Sequence, residues 1–235
     1  MSKESEVEKL KIVLVGESGV GKTNILSQYV RHKFDINSMT TDSAAQEGKT
    51  IRYEENKISL QMELWDTAGQ EKFRSLARFF YKDATAAILV YDITRKESFE
   101  GIKNYWHKEI LDKAPEGVVI GIAANKADLF LNAQVSENEG REFARKVGAI
   151  FRQTSALTSD GIEDLFYVIG KKIIDPKYID EDEIISNSIK ENNGNNENMQ
   201  EAPKPIRTTT NNLRNSVKLD SKINNEKKVE KKSCC

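Results

Sequence analysis

The sequence predicts an α/β fold: a six-stranded, mostly parallel sheet with one antiparallel strand and helices on both faces. Three observations predict it. Short apolar runs rich in Val and Ile alternate with amphipathic stretches up to about Lys172, and strands alternating with helices build a sheet covered on both sides. Two runs, "AAILVYDI" (86–93) and "VVIGIAAN" (118–125), are almost unbroken in their apolar character, as parallel strands buried on both faces are. Two others, "IRYE" (51–54) and "SLQMELW" (59–65), are joined by too few residues for a crossover helix, so they form an antiparallel hairpin.

The first strand is "LKIVLV" (10–15), a short β-branched run, and "KTNILSQYV" (22–30) after it has helical spacing. The hairpin comes next, its second arm alternating as a half-buried strand does. After the strand at 86–93, Tyr105 and Trp106 lie on a predicted helix, where Trp106 reads as packing. "SENEGREFARKVG" (136–148) is an amphipathic helix with an acidic start and a glycine stop. "AIFRQTS" (149–155) is the last strand, and "GIEDLFYVIGKKI" (161–173) the last helix, with Leu165 and Ile169 on one face. The organisation expected is an N-terminal extension (1–7), one globular domain (8–175) and a disordered tail (176–235). The tail is Asn-rich and poor in aromatics, a composition that cannot bury enough apolar surface to order itself. It is acidic over 180–201; residues 204–232 carry nine Lys/Arg against three acids.

Composition excludes several classes. The formal net charge of −1 gives no global pull towards nucleic acid. The charged start "MSKESEVEKL" has no apolar h-region, and Ser2 does not fit the myristoylation pattern. No apolar run approaches the ~20 residues that span a bilayer. The two cysteines, Cys234 and Cys235, stand at the very end, where they cannot staple a core, so the domain is built for a reducing compartment. His32 and His107, the only histidines, stand away from every motif and read as solvated or helix-face residues.

"GESGVGKT" (16–23) follows the first strand and opens the first helix. It matches G-x-x-x-x-G-K-[ST], whose backbone N–H groups turn inward around phosphate oxygens, helped by the helix N-terminus. Lys22 then reaches the β- and γ-phosphates and the Thr23 hydroxyl ligates Mg²⁺. "NKAD" (125–128) closes another strand, at the end of an α/β sheet where ligands bind. Asp128 can accept from guanine N1–H and the exocyclic amine, donors that adenine does not present there, and Asn125 fixes the loop. "WDTAGQE" (65–71) ends the hairpin. There Asp66 can hold a Mg²⁺-bound water, the Gly69 N–H can meet the γ-phosphate and Gln70 can orient the attacking water.

With these segments in this order the chain resembles the Ras superfamily of small GTPases, and the Rab branch in particular, over roughly residues 8–175 and again at the extreme C-terminus. "MELW" (62–65), "KFRSLA" (72–77), "FYKDA" (80–84) and "LVYDIT" (89–94) carry the Rab likeness; "SLA", "AAILVYDIT" and "NKADL" look most like endosomal members. The resemblance implies the P-loop small-GTPase fold, GTP/GDP and Mg²⁺ as ligands, and GTP hydrolysis as the activity. It implies that Gly16, Ser18, Gly19, Val20, Gly21, Lys22 and Thr23 bind phosphates and that Phe34 stacks on guanine. Asn125, Lys126, Asp128, Ser155, Ala156 and Leu157 would hold the base, Ala156 through its backbone N–H. The family usually has Lys where this chain has Leu157. It also implies Lys22 and Gln70 as catalytic residues and Thr23, Asp66 and a switch I hydroxyl at the metal.

That hydroxyl lies within "TTDSAAQE" (40–47). Counting forward from Lys22 lands on Thr41; counting back from Trp65 lands on Ser43 unless the hairpin near "YEENK" is longer than usual. Thr41 is preferred, since Thr is the family's residue. The positions after it depart from the Rab pattern. Asp42, Ser43 and Gln46 stand where the family has a hydrophobic residue, a glycine and the aromatic that joins Trp65 and Phe80 in an effector-binding triad. Arg74 and Arg78 fall in switch II, either functional or simply solvating.

The terminal "KKSCC" is not a C-a-a-X box, but it matches the family's double-Cys ending, implying geranylgeranylation of Cys234 and Cys235. One lipid chain binds a membrane only marginally and two make attachment stable. A flexible tail of this length has an end-to-end distance of at least ~40 Å, so the domain would be tethered rather than flattened on the bilayer. The resemblance thus implies a membrane-tethered switch in vesicle trafficking on the cytoplasmic face of an intracellular, endosome-like membrane. Its expected partners are an exchange factor, a GTPase-activating protein supplying Arg in trans, an escort of the GDI type that holds it in the cytosol, and effectors of atypical switch I specificity. A membrane-tethered nucleotide-binding module with impaired switching is the alternative. A small-molecule kinase is weaker, since "NKAD" and "DTAGQ" have no task in it.

Overall fold

The computed structural model describes residues 7–37, 41, 45–55, 57–67 and 77–180. The chain separates into units 1–195 and 196–235; the second lies outside the described residues, and with it Cys234 and Cys235. The first unit holds a six-stranded sheet ordered β2-β3-β1-β4-β5-β6. Its strands are β1 (Val7–Val15), β2 (Ala45–Tyr53), β3 (Ile58–Asp66), β4 (Ala86–Asp92), β5 (Val119–Asn125) and β6 (Ile150–Thr154). All neighbours are parallel except β2 with β3, as the short hairpin link requires.

The pleat sorts the core into two layers. Ile12 and Leu14 of β1 point to a cluster with α1 (Lys22–Arg31) and α6 (Ile162–Ile174). Val13 and Val15 point the other way, to Phe99, Ile102, Trp106 and Ile110, with Ala144 of α5 (Glu137–Val147). Residues that alternate along a strand face opposite sides, so a strand between two helix layers must be apolar throughout. All seven residues of β4 are accordingly buried. A short helix, α2 (Ala77–Tyr81), precedes β4. The helix after β4 runs as α3 (Lys96–Gly101), a π-helical turn (Ile102–Trp106) and α4 (His107–Lys113).

Two strands are longer than their apolar patterns. β1 begins at Val7, three residues before the apolar run, because residues 7–9 still pair with Ser59, Leu60 and Gln61 of β3. β2 begins at Ala45, so Ala45, Gln46 and Glu47 are strand and not loop. Its polarity is that of an edge strand with its first residues largely exposed, which no alternation reveals. The packed chain continues past 175. Arg152 of β6 grips the Asp180 carboxylate with both terminal nitrogens (2.7 and 2.9 Å), and Lys172 Nζ donates to the Tyr178 carbonyl at 2.6 Å. Asp180, expected in the tail, is 4% exposed. By contrast α5 follows its sequence signals: Ser136 caps it by accepting from the Glu139 N–H, and Gly148 ends it at φ 68°. No described helix is long and apolar enough to cross a membrane.

Candidate functional site: a phosphate cradle and a base pocket

β1 lies between β3 and β4, so the chain leaves β1 first to one side of the sheet and later to the other. Such a switch point opens a crevice at the carboxyl ends of the strands. A cavity of about 420 Å³ lies there; Gly21, Lys22, Thr23 and Thr41 line its phosphate side, and Phe34, Asn125, Lys126, Asp128, Ala156 and Leu157 its other side.

On the phosphate side, the loop turns through positive φ at Gly16 (145°), Gly19 (75°) and Gly21 (98°). Two of these also lack room for a side chain. A Cβ on Gly16 would meet the Val90 carbonyl oxygen at 2.2 Å, and one on Gly21 the Asn125 amide at 2.4 Å. Lys22 is 5% exposed, and its ammonium donates to the carbonyls of Gly16 and Glu17 at 2.9 Å each. Burial pulls its pKa down to about 8, against Asp66 and Glu17, which hold it up.

Three oxygens meet beside the cradle. Thr23 Oγ1 lies 2.6 Å from Thr41 Oγ1 and donates to Asp66 Oδ2 at 2.6 Å; Thr41 Oγ1 reaches the same Oδ2 at 3.5 Å. Asp66 Oδ1 is buried with no hydrogen-bond partner. Burial raises the Asp66 pKa, against the Thr23 hydroxyl and Lys22, which lower it. Two hydroxyls and a carboxylate with one orphaned oxygen are hard donors and fit Mg²⁺. Thr67 Oγ1 anchors this strand end by donating to the Leu14 carbonyl at 2.6 Å.

On the base side, Asn125 Nδ2 donates to the Val20 carbonyl at 2.7 Å, and its Oδ1 accepts from Thr154 at 3.2 Å. One side chain therefore ties the base loop to the phosphate loop. Asp128, which lines the pocket, accepts at Oδ1 from Ser155 Oγ at 2.5 Å. Lys126, at φ 64°, pairs its ammonium with Asp92 at 2.7 Å. Phe34 stands at the mouth on a loop held by Asn24, which donates to the Asp35 carbonyl at 3.2 Å. Ala156 is buried, while Leu157 is 55% exposed beside it.

The structure thus brings Gly16, Ser18, Gly19, Val20, Gly21, Lys22, Thr23, Phe34, Thr41, Asp66, Asn125, Lys126, Asp128, Ser155, Ala156 and Leu157 around one crevice. Gly69, Gln70, Asp42, Ser43 and Arg74 lie outside the described residues, as does the side chain of Arg78. At the sheet edge Gln46 pairs directly with Trp65, whose ring lies 6.1 Å from that of Phe80. Trp65 also takes the Lys11 ammonium at 4.8 Å. His32 is exposed at the end of α1, and His107 rests edge-on against Phe143 with its pKa lowered by burial. Arg95 and Trp106 were not legible as site residues. Arg95 donates to the Ser18 carbonyl at 2.9 Å, and Trp106 Nε1 to Glu17 Oε1 at 3.1 Å. No local motif carries those contacts.

A glycine loop with a buried lysine, opening a helix at the carboxyl ends of parallel strands, defines a P-loop nucleotide-binding protein. The model of the Ras family matches residues 11–175, and the chain belongs to that family. It is 41% identical over 167 residues to the Ras-related protein Rab-22A of Homo sapiens, covering 71% of this chain and 84% of that protein. It is 42% identical over 164 residues to the GTP-binding protein ypt5 of Schizosaccharomyces pombe, 69% and 77% of the two chains. It is 41% identical over 163 residues to the Ras-related protein RABA2b of Arabidopsis thaliana, 69% and 75%. Within the family it is a Rab-type small GTPase, a GTP hydrolase that regulates vesicle trafficking.

Proposed function

We propose that the protein is a membrane-tethered GTP/GDP switch whose switch I sensor is Thr41. The observation that carries this is the meeting of Thr23, Thr41 and Asp66 around one carboxylate oxygen, next to an orphaned one. Thr23, Thr41 and Asp66 would hold Mg²⁺, directly or through water. The ion, when bound, neutralises charge on the β- and γ-phosphate oxygens. The chain's own residues do the rest. The phosphate loop's N–H groups and Lys22 fix the γ-phosphoryl group and stabilise the charge that develops on it. Gln70 orients a water for in-line attack. The P–O bond to GDP breaks as the water oxygen bonds to phosphorus, giving phosphate and GDP. Loss of the γ-phosphate releases the Thr41 and Gly69 contacts, and with them the two switch segments.

Hydrolysis is slow in isolation, and an arginine from a GTPase-activating protein would raise it by ~10³–10⁵. Exchange factor, GDI-type escort and effectors complete the cycle. Geranylgeranyl groups on Cys234 and Cys235 would tether the domain to the cytoplasmic face of an intracellular membrane of endosomal type. Gln46 opposite Trp65 puts an amide where the family's aromatic triad has a ring, so the effectors would read a more polar face. The same polar switch I favours a second reading, a tethered module that binds nucleotide but switches poorly. The test is Thr41→Ala, with Mg²⁺-dependent affinities for GTP and GDP measured and effectors captured in each state. Loss of the GTP preference supports the switch. Unchanged affinity and effector choice would remove Thr41 as the sensor, and equal effector capture by the wild-type protein in both states would favour the module.

A further inference from the structure

The helix after β4 touches the phosphate loop twice, at consecutive residues. At its start, Arg95 Nη2 donates to the Ser18 carbonyl at 2.9 Å, while its Nε lies 3.5 Å from Asp92 Oδ2. Three turns later Trp106, 4% exposed, donates its indole N–H to Glu17 Oε1 at 3.1 Å. The backbone is specialised at this place. Gly101 sits inside the helix, where glycine is unfavourable relative to alanine. A Cβ there would fall 2.9 Å from Glu17 Oε1 and 3.3 Å from its Cγ, so the glycine lets the carboxylate lie against the helix. The π-helical turn begins at the next residue and ends on Trp106, with the His107 N–H reaching back five residues to the Ile102 carbonyl. Such a turn fits an extra residue into the helix, re-aims the side chains around it, and recurs at functional sites. The backbone carbonyl of Glu17 accepts from Lys22 at 2.9 Å. Glu17 is therefore held from outside by the helix and from inside by the lysine.

We infer that Trp106 and Arg95 are positioning residues for the nucleotide, fastening residues 17 and 18 so that the phosphate loop keeps its shape. The inference rests on the guanine-nucleotide reading of the crevice. Preorganised donors lose less on binding than donors that must be ordered, so the loop's grip on GDP depends on this helix. Neither side chain lines the cavity; each reaches it only through the phosphate loop.

The test loads the full-length protein with a fluorescent GDP analogue and measures its release alongside the melting temperature. Trp106→Phe keeps the ring and loses the donor; Glu17→Ala loses the acceptor. Each is expected to release GDP about tenfold faster, the value of one charge-assisted bond, and the double variant no faster than either. Glu17→Gln retains an accepting oxygen and is expected to stay within about twofold of wild type. Gly101→Ala favours the helix yet displaces the carboxylate, so it should speed release without lowering the melting temperature. Arg95→Ala should multiply the Trp106→Phe effect, since it frees Ser18 rather than Glu17. Release within twofold of wild type for Trp106→Phe and Glu17→Ala, or simple multiplication of the two, overturns the Trp106 half of the inference. An unchanged rate for Arg95→Ala overturns the other half. Failure of the wild-type protein to hold GDP would instead overturn the reading of the crevice.

Discussion

The two ends of the crevice are built differently. At the base end the protein satisfies itself: Asn125 bonds Val20 and Thr154, Asp128 takes Ser155, and Lys126 takes Asp92. At the metal end two hydroxyls converge on one oxygen of Asp66, and its other oxygen has no partner. Buried polar atoms are ordinarily paired, so the base end is satisfied from within, while the Asp66 end keeps an acceptor that the proposed Mg²⁺ would take. A switch needs this asymmetry. In the proposed switch the base end would anchor the nucleotide in either state, and the end that meets the γ-phosphate would report which state is bound.

The largest expected effect would break the base end. Asp128→Ala removes the acceptor for guanine and leaves Ser155 without its partner. Guanine selectivity over adenine should fall by up to roughly 10⁴-fold, measured by competition of GDP and ADP for the site. Retained selectivity would show that the base is read elsewhere. Next is Lys22→Ala at the phosphate loop, expected to lower single-turnover GTP hydrolysis by about 10²-fold or more. An unimpaired rate would remove the lysine from the chemistry.

Thr41→Ala separates the two ends more finely. Mg²⁺-dependent GTP affinity should drop about tenfold while GDP affinity changes little, read by calorimetry with each nucleotide. A parallel loss for GDP would mean that the metal end is not the reporting end. The smallest expected effect is Gln46→Phe. It restores a ring opposite Trp65 and should stabilise the hairpin by about 0.2–1 kcal/mol in urea denaturation. Its larger consequence should be a change in effector choice, visible as altered capture by the GTP-bound protein.

Much of this was legible beforehand. The apolar runs at 86–93 and 118–125 became fully or nearly fully buried parallel strands, because double burial leaves no room for polar alternation. Lys22 and Asp128 stand where their motifs put them, since a motif at a strand end is a contiguous piece of chain. β2 extends beyond its expected arm at 51–54 because an exposed edge imposes no hydrophobic period on its residues. Nothing local marks Asp180 as part of the packed chain, because the Arg152 that holds it is 28 residues away.

By itself, then, the sequence determined the sheet with its helices, the phosphate loop and the place of the Asp128 carboxylate at the end of β5. Each is encoded by periodicity or by neighbours within about ten residues, which the backbone expresses directly. The tertiary structure supplied what the resemblance only implied, that Thr41 lies 2.6 Å from Thr23 and that Gln46 pairs with Trp65, and it alone decided that Trp106 meets Glu17 across 89 positions. Those contacts depend on strand register and on the aim of one helical turn. Both are fixed by packing among distant segments, and distance along the chain carries no trace of them.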